Sequence, residues 1–435
     1  MKRIFGLSIW ALVLAFLMTA CGGGGGGGGD TIAPTTPGGL QAQTLNASSI
    51  RLGWQQSIDN VGLAGYKIYR DGVYIQSLPS SYLSNNDTGL SSGKQYCYTV
   101  SAYDAAGNES GQSAQACATT ALFSISTVDS TSGAGLAPSI AVDSSNHAHI
   151  SYYDVTNHFL KYATNASGIW STMTVSVAGT QGFGMYDTSI AIDSNNKVHL
   201  SYYDDTDSSL KYATNVSGSW VVTTIGGSVD NAIAVDSNNK VHIFHSGSVY
   251  TTNASGTWIS TVVSVGGNFV SLALDSNNKA HISYESSGNL NYATNASGTW
   301  VATTIDQGGN FSSIALDSNN KAHISYHGYV DFFKHVKYAT NASGSWVTTD
   351  IAGLGSGGYT TAIALDSNNN AHVSYFAFNA GLYYATNASG LLNTTNVSSG
   401  NAGYFSNAIA VDSNNKIHIA YYGYTIPNLL YATNQ

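Results

Sequence analysis

Twelve histidines stand out in this 435-residue chain because charged side chains are scarce: Asp, Glu, Lys and Arg make up 9% of it, against about a quarter in an ordinary globular protein. Seven of them, His149, His199, His242, His281, His323, His372 and His418, recur at one position of an internal repeat. Imidazole is a common metal ligand and general base, so the series reads either as a metal or catalytic array or as a packing residue copied with its repeat. Seven turns of the type Asp-Ser-(Ser/Asn)-Asn accompany them. One carboxylate per turn falls short of the roughly six to eight oxygens that calcium takes, and an Asp bonding its own turn amides explains the same residues. No cofactor is expected, with calcium kept as the alternative. Asp154, Asp204, Asp205 and Asp207 are the candidate acids for glycoside chemistry, since Glu285 is the sole glutamate after residue 120. No nucleophile elbow, phosphate loop or metalloprotease motif occurs. No arginine follows Arg70 and the formal net charge is -9, which leaves no basic stripe for a phosphate backbone and excludes nucleic acid as a partner.

The repeat that must position these groups is least disturbed in Ser189-Ile-Ala-Ile-Asp-Ser-Asn-Asn-Lys-Val-His-Leu-Ser-Tyr-Tyr203. Two alternating runs flank Ser194-Asn195-Asn196, a hairpin loop whose last Asn tolerates the left-handed conformation. In that register Asp193 faces Lys197 and Ala191 faces His199, while Ile190 and Ile192 share the other face with Val198 and Leu200. Leu210–Thr214 and Trp220–Ile225 complete four short strands, the size of one β-propeller blade. The final copy stops after Leu429–Asn434, one strand short. Phe123–Val128 has the spacing of the missing strand, the same as Trp170/Val175, Trp220/Ile225, Trp258/Val263, Trp300/Ile305, Trp346/Ile351 and Leu392/Val397. The expectation is an all-β chain in which residues 121–435 form a seven-bladed β-propeller closed by an N-terminal strand, so that no sheet edge is left free. The strands are too short for a transmembrane barrel. In this geometry the repeated histidines fall on second strands, roughly 10 Å apart between blades, whereas zinc bonds are about 2 Å. Packing beneath the next blade, with a bond to a backbone or hydroxyl group, is therefore their expected role.

The turn Ala293-Thr-Asn-Ala-Ser-Gly-Thr-Trp300 resembles a degenerate Asp box of sialidase-type propellers, with Asn295 at the Asp position, Ser297 at the Gly position and Thr299-Trp300 as the ending. The likeness recurs at Asn165, Asn215, Asn253, Asn341 and Asn387. It implies fold and not activity: the Asp box is a structural turn, and the three arginines by which sialidases hold a substrate carboxylate have no counterpart after residue 120.

Ahead of the repeats, Lys2-Arg3, an apolar run from Ile4 to Met18 and Met18-Thr-Ala-Cys21 read as a signal peptide. They resemble the lipobox of bacterial lipoproteins, which implies lipidation at Cys21 and, with Gly22 after the cysteine, the outer membrane, on its periplasmic or cell-surface face. Gly22–Gly29 reads as a flexible tether. Residues 34–120 resemble a fibronectin type III module through the strand candidates Ile50–Trp54, Gly65–Tyr69 and Tyr96–Tyr103, the Asp71-Gly72 turn, Trp54 at the core tryptophan position and Leu90 with Tyr96 at the tyrosine corner. In an exported chain Cys97 and Cys117 are expected to be bridged. The expected domains are 1–20 signal peptide, 21–33 lipidated Cys and tether, 34–120 fibronectin type III, and 121–435 propeller.

Function is sought where the repeats differ. Turns at one end are nearly identical and serve folding, whereas connections at the other end diverge and can serve recognition. The divergent stretches Tyr152–Phe159, Tyr326–Phe333, Phe376–Phe378 and Tyr421–Tyr424 set aromatic rings beside Asp, Asn and His, which suits stacking on sugars or anchoring a protein. Tyr153, Asp154, Tyr203, Asp204, Tyr329, Phe333, Phe376, Phe378, Tyr422 and Tyr424 are the candidate ligand-binding residues. The expected function is non-catalytic binding of a glycan or a surface protein at the cell envelope, with membrane contact through the lipid alone. The alternatives are a glycoside hydrolase or lyase using rim aspartates, and a scaffold in a surface assembly.

Overall fold

The computed structural model describes residues 29–177, 188–227, 229–263, 267–330, 333–353, 360–377, 381–390, 392–398, 402–423 and 428–434. Within them all regular structure is β-strand, and no helix is long and apolar enough to cross a membrane. The chain divides into two compact units: Met1–Ala42, Arg51–Asn85 and Tyr96–Cys117 make one, and Gln43–Ile50, Asn86–Gln95 and Ala118–Gln435 the other.

The N-terminal strands form two sheets. One has the order Gln41–Asn46, Ser49–Gly53, Ser84–Thr88, and the other Val73–Pro79, Leu63–Arg70, Gln95–Asp104, Ala116–Thr119. Trp54 is buried edge-on to Tyr66 at 5.4 Å. Cys97 and Cys117, on adjacent strands, form a disulfide.

From residue 123 onward the strands follow one pattern seven times, here numbered as sheets I to VII. Sheet I comprises Ala134–Val142, Ala148–Asp154, Phe159–Thr164 and Ser171–Val177; sheets II, III and VI repeat it from Thr188, Asn231 and Thr361. Sheets IV and V, which begin at Asn268 and within Val301–Leu316, are hydrogen-bonded as one seven-stranded sheet because that long strand ends IV and starts V. Sheet VII contains Ala402–Val411, Ile417–Gly423 and Leu429–Asn434, and its fourth strand is Phe123–Asp129, with Leu430 opposite Thr127 and Thr433 opposite Ser124. The hairpin register is the one read from the sequence: Ala191 opposes His199, Ile190 opposes Leu200, and Asp193 N–H donates to the Lys197 carbonyl. Asn196 takes φ 58, and the equivalent Asn of the other six turns is also left-handed.

Two sets of contacts run from sheet to sheet. Ser144 N–H donates to Asn196 Oδ1 of the next turn, Ser194 to Asn239, Ser237 to Asn278, Ser276 to Asn320, Ser318 to Asn369, Ser367 to Asn415, and Ser413 back to Asn146. First strands touch in the same order, the one in VII meeting the one in I. Apolar cores fill the spaces between: Tyr153 and Leu160 of sheet I pack with Ile190 and Leu200 of sheet II, and Leu429 and Tyr431 of sheet VII pack with Ile140 and Ile150 of sheet I.

Candidate functional site

The seven repeated histidines are all buried. Each ring places Nδ1 against a third-strand tyrosine hydroxyl, at 2.5–2.7 Å for His149–Tyr162, His199–Tyr212, His281–Tyr292, His323–Tyr338, His372–Tyr384 and His418–Tyr431, with His242–Tyr250 alike. Nε2 faces the carboxylate of its own sheet's Asp turn at 3.3–3.6 Å. Burial lowers all seven imidazoles from the ordinary value, outweighing the raising effect of the carboxylate. Only His199 Nε2 meets its carboxylate with hydrogen-bond geometry, at 3.4 Å; a neutral ring protonated there accepts the tyrosine O–H at Nδ1. The other carboxylate oxygen is engaged as well: Asp193 Oδ1 accepts from Asn195 and Lys197 N–H at 2.8 and 2.7 Å. An Asp-His-Tyr series resembles a proton relay, but buried copies in every sheet make it a packing device.

The rim residues proposed from sequence divide by burial. Tyr329 is 46% exposed, and Tyr203 and Tyr422 are half-buried. Tyr153 and Phe376, expected to be exposed rings, are buried instead. Tyr153 wedges between sheets and donates its hydroxyl to the Tyr203 carbonyl at 2.6 Å, while Phe376 packs with Leu382, Tyr384 and Tyr421. Asp154 and Asp204 are buried within their own turns: Asp154 accepts from Asn157 N–H at 3.0 Å and Nδ2 at 2.9 Å, and Asp204 from Thr206 N–H at 3.0 Å. Phe333 begins a strand; its side chain, together with Phe378, Tyr424 and Cys21, lies outside the described residues.

The sequence reading missed a cavity of about 430 Å³ bounded by the entry ends of the first strands of all seven sheets. Antiparallel order places this end with the divergent connections and opposite the Asp turns. Second-strand serines bond across to first-strand residues of the next sheet: Ser151 pairs with Thr188 at 2.7 Å, Ser201 donates to Asn231 Oδ1 at 2.5 Å, Ser283 pairs with Ser312 at 2.9 Å, and Ser374 donates to Asn407. Asp230 is buried at the lining, accepts from Phe269 N–H at 2.8 Å, and has its carboxyl pushed up by burial. The signal for this site was the residue three positions before each repeated Ile or Leu, which differs between repeats.

Asp30, Asp59 and Asp104 are the one grouping of potential metal ligands found among the described residues, their carboxylates within 4.8 Å of one another. Asp104 accepts from Asn108 N–H at 2.9 Å and Nδ2 at 2.7 Å, and Asp30 from Asn60 Nδ2 at 3.2 Å. Such acidic groupings are common without an ion. Three separate segments supply it, so no local motif announces it.

No model of a known protein family matches the chain. A 91-residue stretch, about the length of the N-terminal module, is 53% identical to an α-amylase of Niallia circulans, covering 21% of this chain and 7% of the amylase. Chitinase Chi52 of Paenibacillus xylanexedens is 43% identical over 91 residues, 21% of this chain and 17% of the chitinase. Chitinase A1 of Niallia circulans is 32% identical over 161 residues, 35% of this chain and 23% of that enzyme. The chain thus spans under a quarter of the length of these relatives. Among solved structures, FN3tt is 28% identical over 21% of this chain and 98% of its own, with a TM-score of 0.19. Aleuria aurantia lectin, solved with α-methyl-L-fucoside, is 11% identical over 68% of this chain and 89% of its own at a TM-score of 0.44, a likeness too loose to argue from. Within the described residues the chain is all-β, and about a fifth of it is similar to the solved FN3tt structure.

Proposed function

We propose that this is a non-catalytic glycan-binding protein of the cell envelope, in which residues 121–435 form a seven-bladed β-propeller whose divergent end recognises the glycan. One observation carries the reading: the identical turns are consumed by bonds to one another, while the opposite, divergent end surrounds a cavity whose described lining mixes Ser, Thr and Asn with apolar residues. Closure is supported by the pairing of Phe123–Asp129 with Leu429–Asn434 and by the return of the turn contacts from Ser413 to Asn146. The glycan is supported by the relatives, which are by name an amylase and chitinases. Binding without hydrolysis is supported by Asp154, Asp204 and Glu285, each of which accepts bonds within its own turn. Lipidation at Cys21, a tether through Gly29, a spacer module over 34–120 and attachment to the outer membrane complete the proposal.

A glycan array probed with the full chain tests it. Binding that persists in Asp154→Asn and Asp204→Asn, with no new reducing ends released, is the expected outcome. Hydrolysis that disappears in those variants would favour the enzyme reading. Absence of glycan binding, with specific co-purification of an envelope protein, would favour the scaffold.

A further inference from the structure

We infer that the cavity at the centre of the divergent end holds a neutral pyranose unit, with Phe269 and Phe311 as its stacking platform and Asp230 as the acceptor for its hydroxyls. The inference rests on the glycan-binding reading above and assigns it a place and a sugar class.

The lining separates into two rings with different logic. One position before the repeated Ile or Leu stand Ser139, Ser189, Ala232, Ser271, Ser313, Ala362 and Ala408, small residues throughout. Several of them bond the next sheet, as Ser271 Oγ does by accepting from Ile314 N–H at 3.1 Å. That ring serves assembly. Two residues earlier the chain reads Ala137, Asp187, Asp230, Phe269, Phe311, Thr360 and Ser406, a set that no common packing need explains; Asp187 lies outside the described residues.

Phe269 and Phe311 have φ of 52° and 55°, the left-handed region that bulky side chains rarely occupy and that concentrates at functional sites. Each sits where the strand register breaks, at Asn268/Ser271 and Asn310/Ser313, a device that re-aims a side chain. Ala137 adopts φ 49 at the equivalent point of sheet I, so the backbone turn does not itself require a phenyl ring. The strain is held from both sides: Phe269 N–H donates to Asp230 Oδ2, and its carbonyl accepts from Ser312 Oγ at 3.0 Å. The two rings, from neighbouring sheets and half-buried, lie 4.4 Å apart at 47°. Electron-rich ring faces attract the C–H face of a sugar.

Lining chemistry selects the sugar class. Among the described residues of the lining Asp230 is the one charged group, and Lys, Arg and His are absent from them. His327, edge-on behind Phe311 at 5.7 Å, is pushed down to about 4 by burial and is neutral at pH 7. Among these described residues a uronate or sialate would meet a carboxylate and no cation, whereas a neutral polyol finds an acceptor. Thr361 is buried in the lining, and its Oγ1 has no partner among the described residues. A volume of about 430 Å³ falls in the small-ligand range of roughly 300–1,000 Å³.

The test is titration of the full chain with methyl gluco-, galacto- and mannopyranoside and with methyl glucuronide, in the wild type, Phe269→Gly, Phe311→Gly and Asp230→Asn. Glycine accepts the left-handed backbone and asparagine keeps the acceptor for Phe269 N–H, so melting temperatures are expected to hold. At least one neutral pyranoside should bind, the glucuronide at least tenfold more weakly, and each variant should lose at least tenfold. Should the variants unfold, nuclear Overhauser effects between sugar C–H protons and the phenyl rings of the wild type decide the matter, and their absence with a bound sugar overturns the site. Undiminished affinity in all three folded variants overturns the cavity while leaving glycan binding in place. Equal binding of the glucuronide overturns the neutral-sugar assignment. A wild type that binds no glycan at all overturns the parent reading and this one with it.

Discussion

A buried imidazole between a tyrosine hydroxyl and a carboxylate is useful to the fold only while it is neutral. Because all seven have lowered values in the folded state, their contribution is fully present above the ordinary histidine value of about 6.5 and is lost as pH falls below it. Asp143, Asp275 and Asp366, held low by turn and histidine bonds that exceed the cost of burial, add a second loss below about pH 4. Urea unfolding followed from pH 8 to 4 should therefore show a plateau, then a decline beginning near 6.5 and steeper than one histidine produces. Constant stability down to pH 5 would contradict the buried, neutral assignment. Tyr292→Phe removes the hydroxyl facing His281 and leaves a buried ring nitrogen unpaired, so it should cost about 1–3 kcal/mol in the same assay. Regular histidine spacing was legible in the sequence, and so was a polar partner, a backbone or hydroxyl group. Which hydroxyl was not, because the tyrosine lies on a third strand whose pairing is a matter of register.

At the scale of the strand, the orphan segment Phe123–Asp129 matters most. Tyrosines that face the repeated histidines meet the bulky residue of the next sheet edge-on: Tyr162 with Trp220, Tyr212 with Trp258, Tyr250 with Trp300, Tyr292 with Trp346 and Tyr431 with Trp170, at 5.0–5.5 Å. Phe123 fills that place for Tyr384 at 5.1 Å. Phe123→Ala should cost about 3–5 kcal/mol, and deletion of 123–128 should abolish cooperative melting of sheet VII; an unchanged melt would discard the shared-strand account. A second inter-sheet device appears twice. Tyr152 donates to Asp129 at 2.8 Å with Lys161 on the same carboxylate, and Tyr326 donates to Asp306 at 2.6 Å with Lys337 beside it. In each case the Asp ends a fourth strand and the Tyr and Lys belong to the following sheet. Lys337→Met leaves a half-buried carboxylate without its cation and should cost roughly 1–3 kcal/mol, between an exposed pair and a fully buried one. Asp306→Asn with Lys337→Met together should cost less than their sum in a double-mutant cycle; strict additivity would deny the coupling. The turn-to-turn Asn contacts were invisible to local reading, although the left-handed Asn that makes them was expected.

For the whole molecule, the Cys97–Cys117 bridge closes a loop of 20 residues, for which chain entropy suggests about 3 kcal/mol. Calorimetry with and without reductant should lower the transition of the N-terminal module and leave that of sheets I to VII in place; a shift of the latter would show that the assignment of the bridge to a separate module is wrong. The sequence alone determined the repeated strands, the register of the first hairpin and the order in which sheets follow one another, because a period of two and a repeated turn are local properties that every copy restates. The module resemblance was likewise readable, since Trp54, Leu90 and Tyr96 stand at characteristic spacings. The rim was read less well. Tyr153 and Phe376 look like exposed loop aromatics in one dimension, yet they are buried because each strand end leans on a neighbour some 50 residues away in the chain. Only tertiary structure could decide that, and only tertiary structure brings Asp230, Phe269 and Phe311 to one cavity: each is a single irregular residue in its own repeat, and a site assembled from one residue per sheet has no sequence motif.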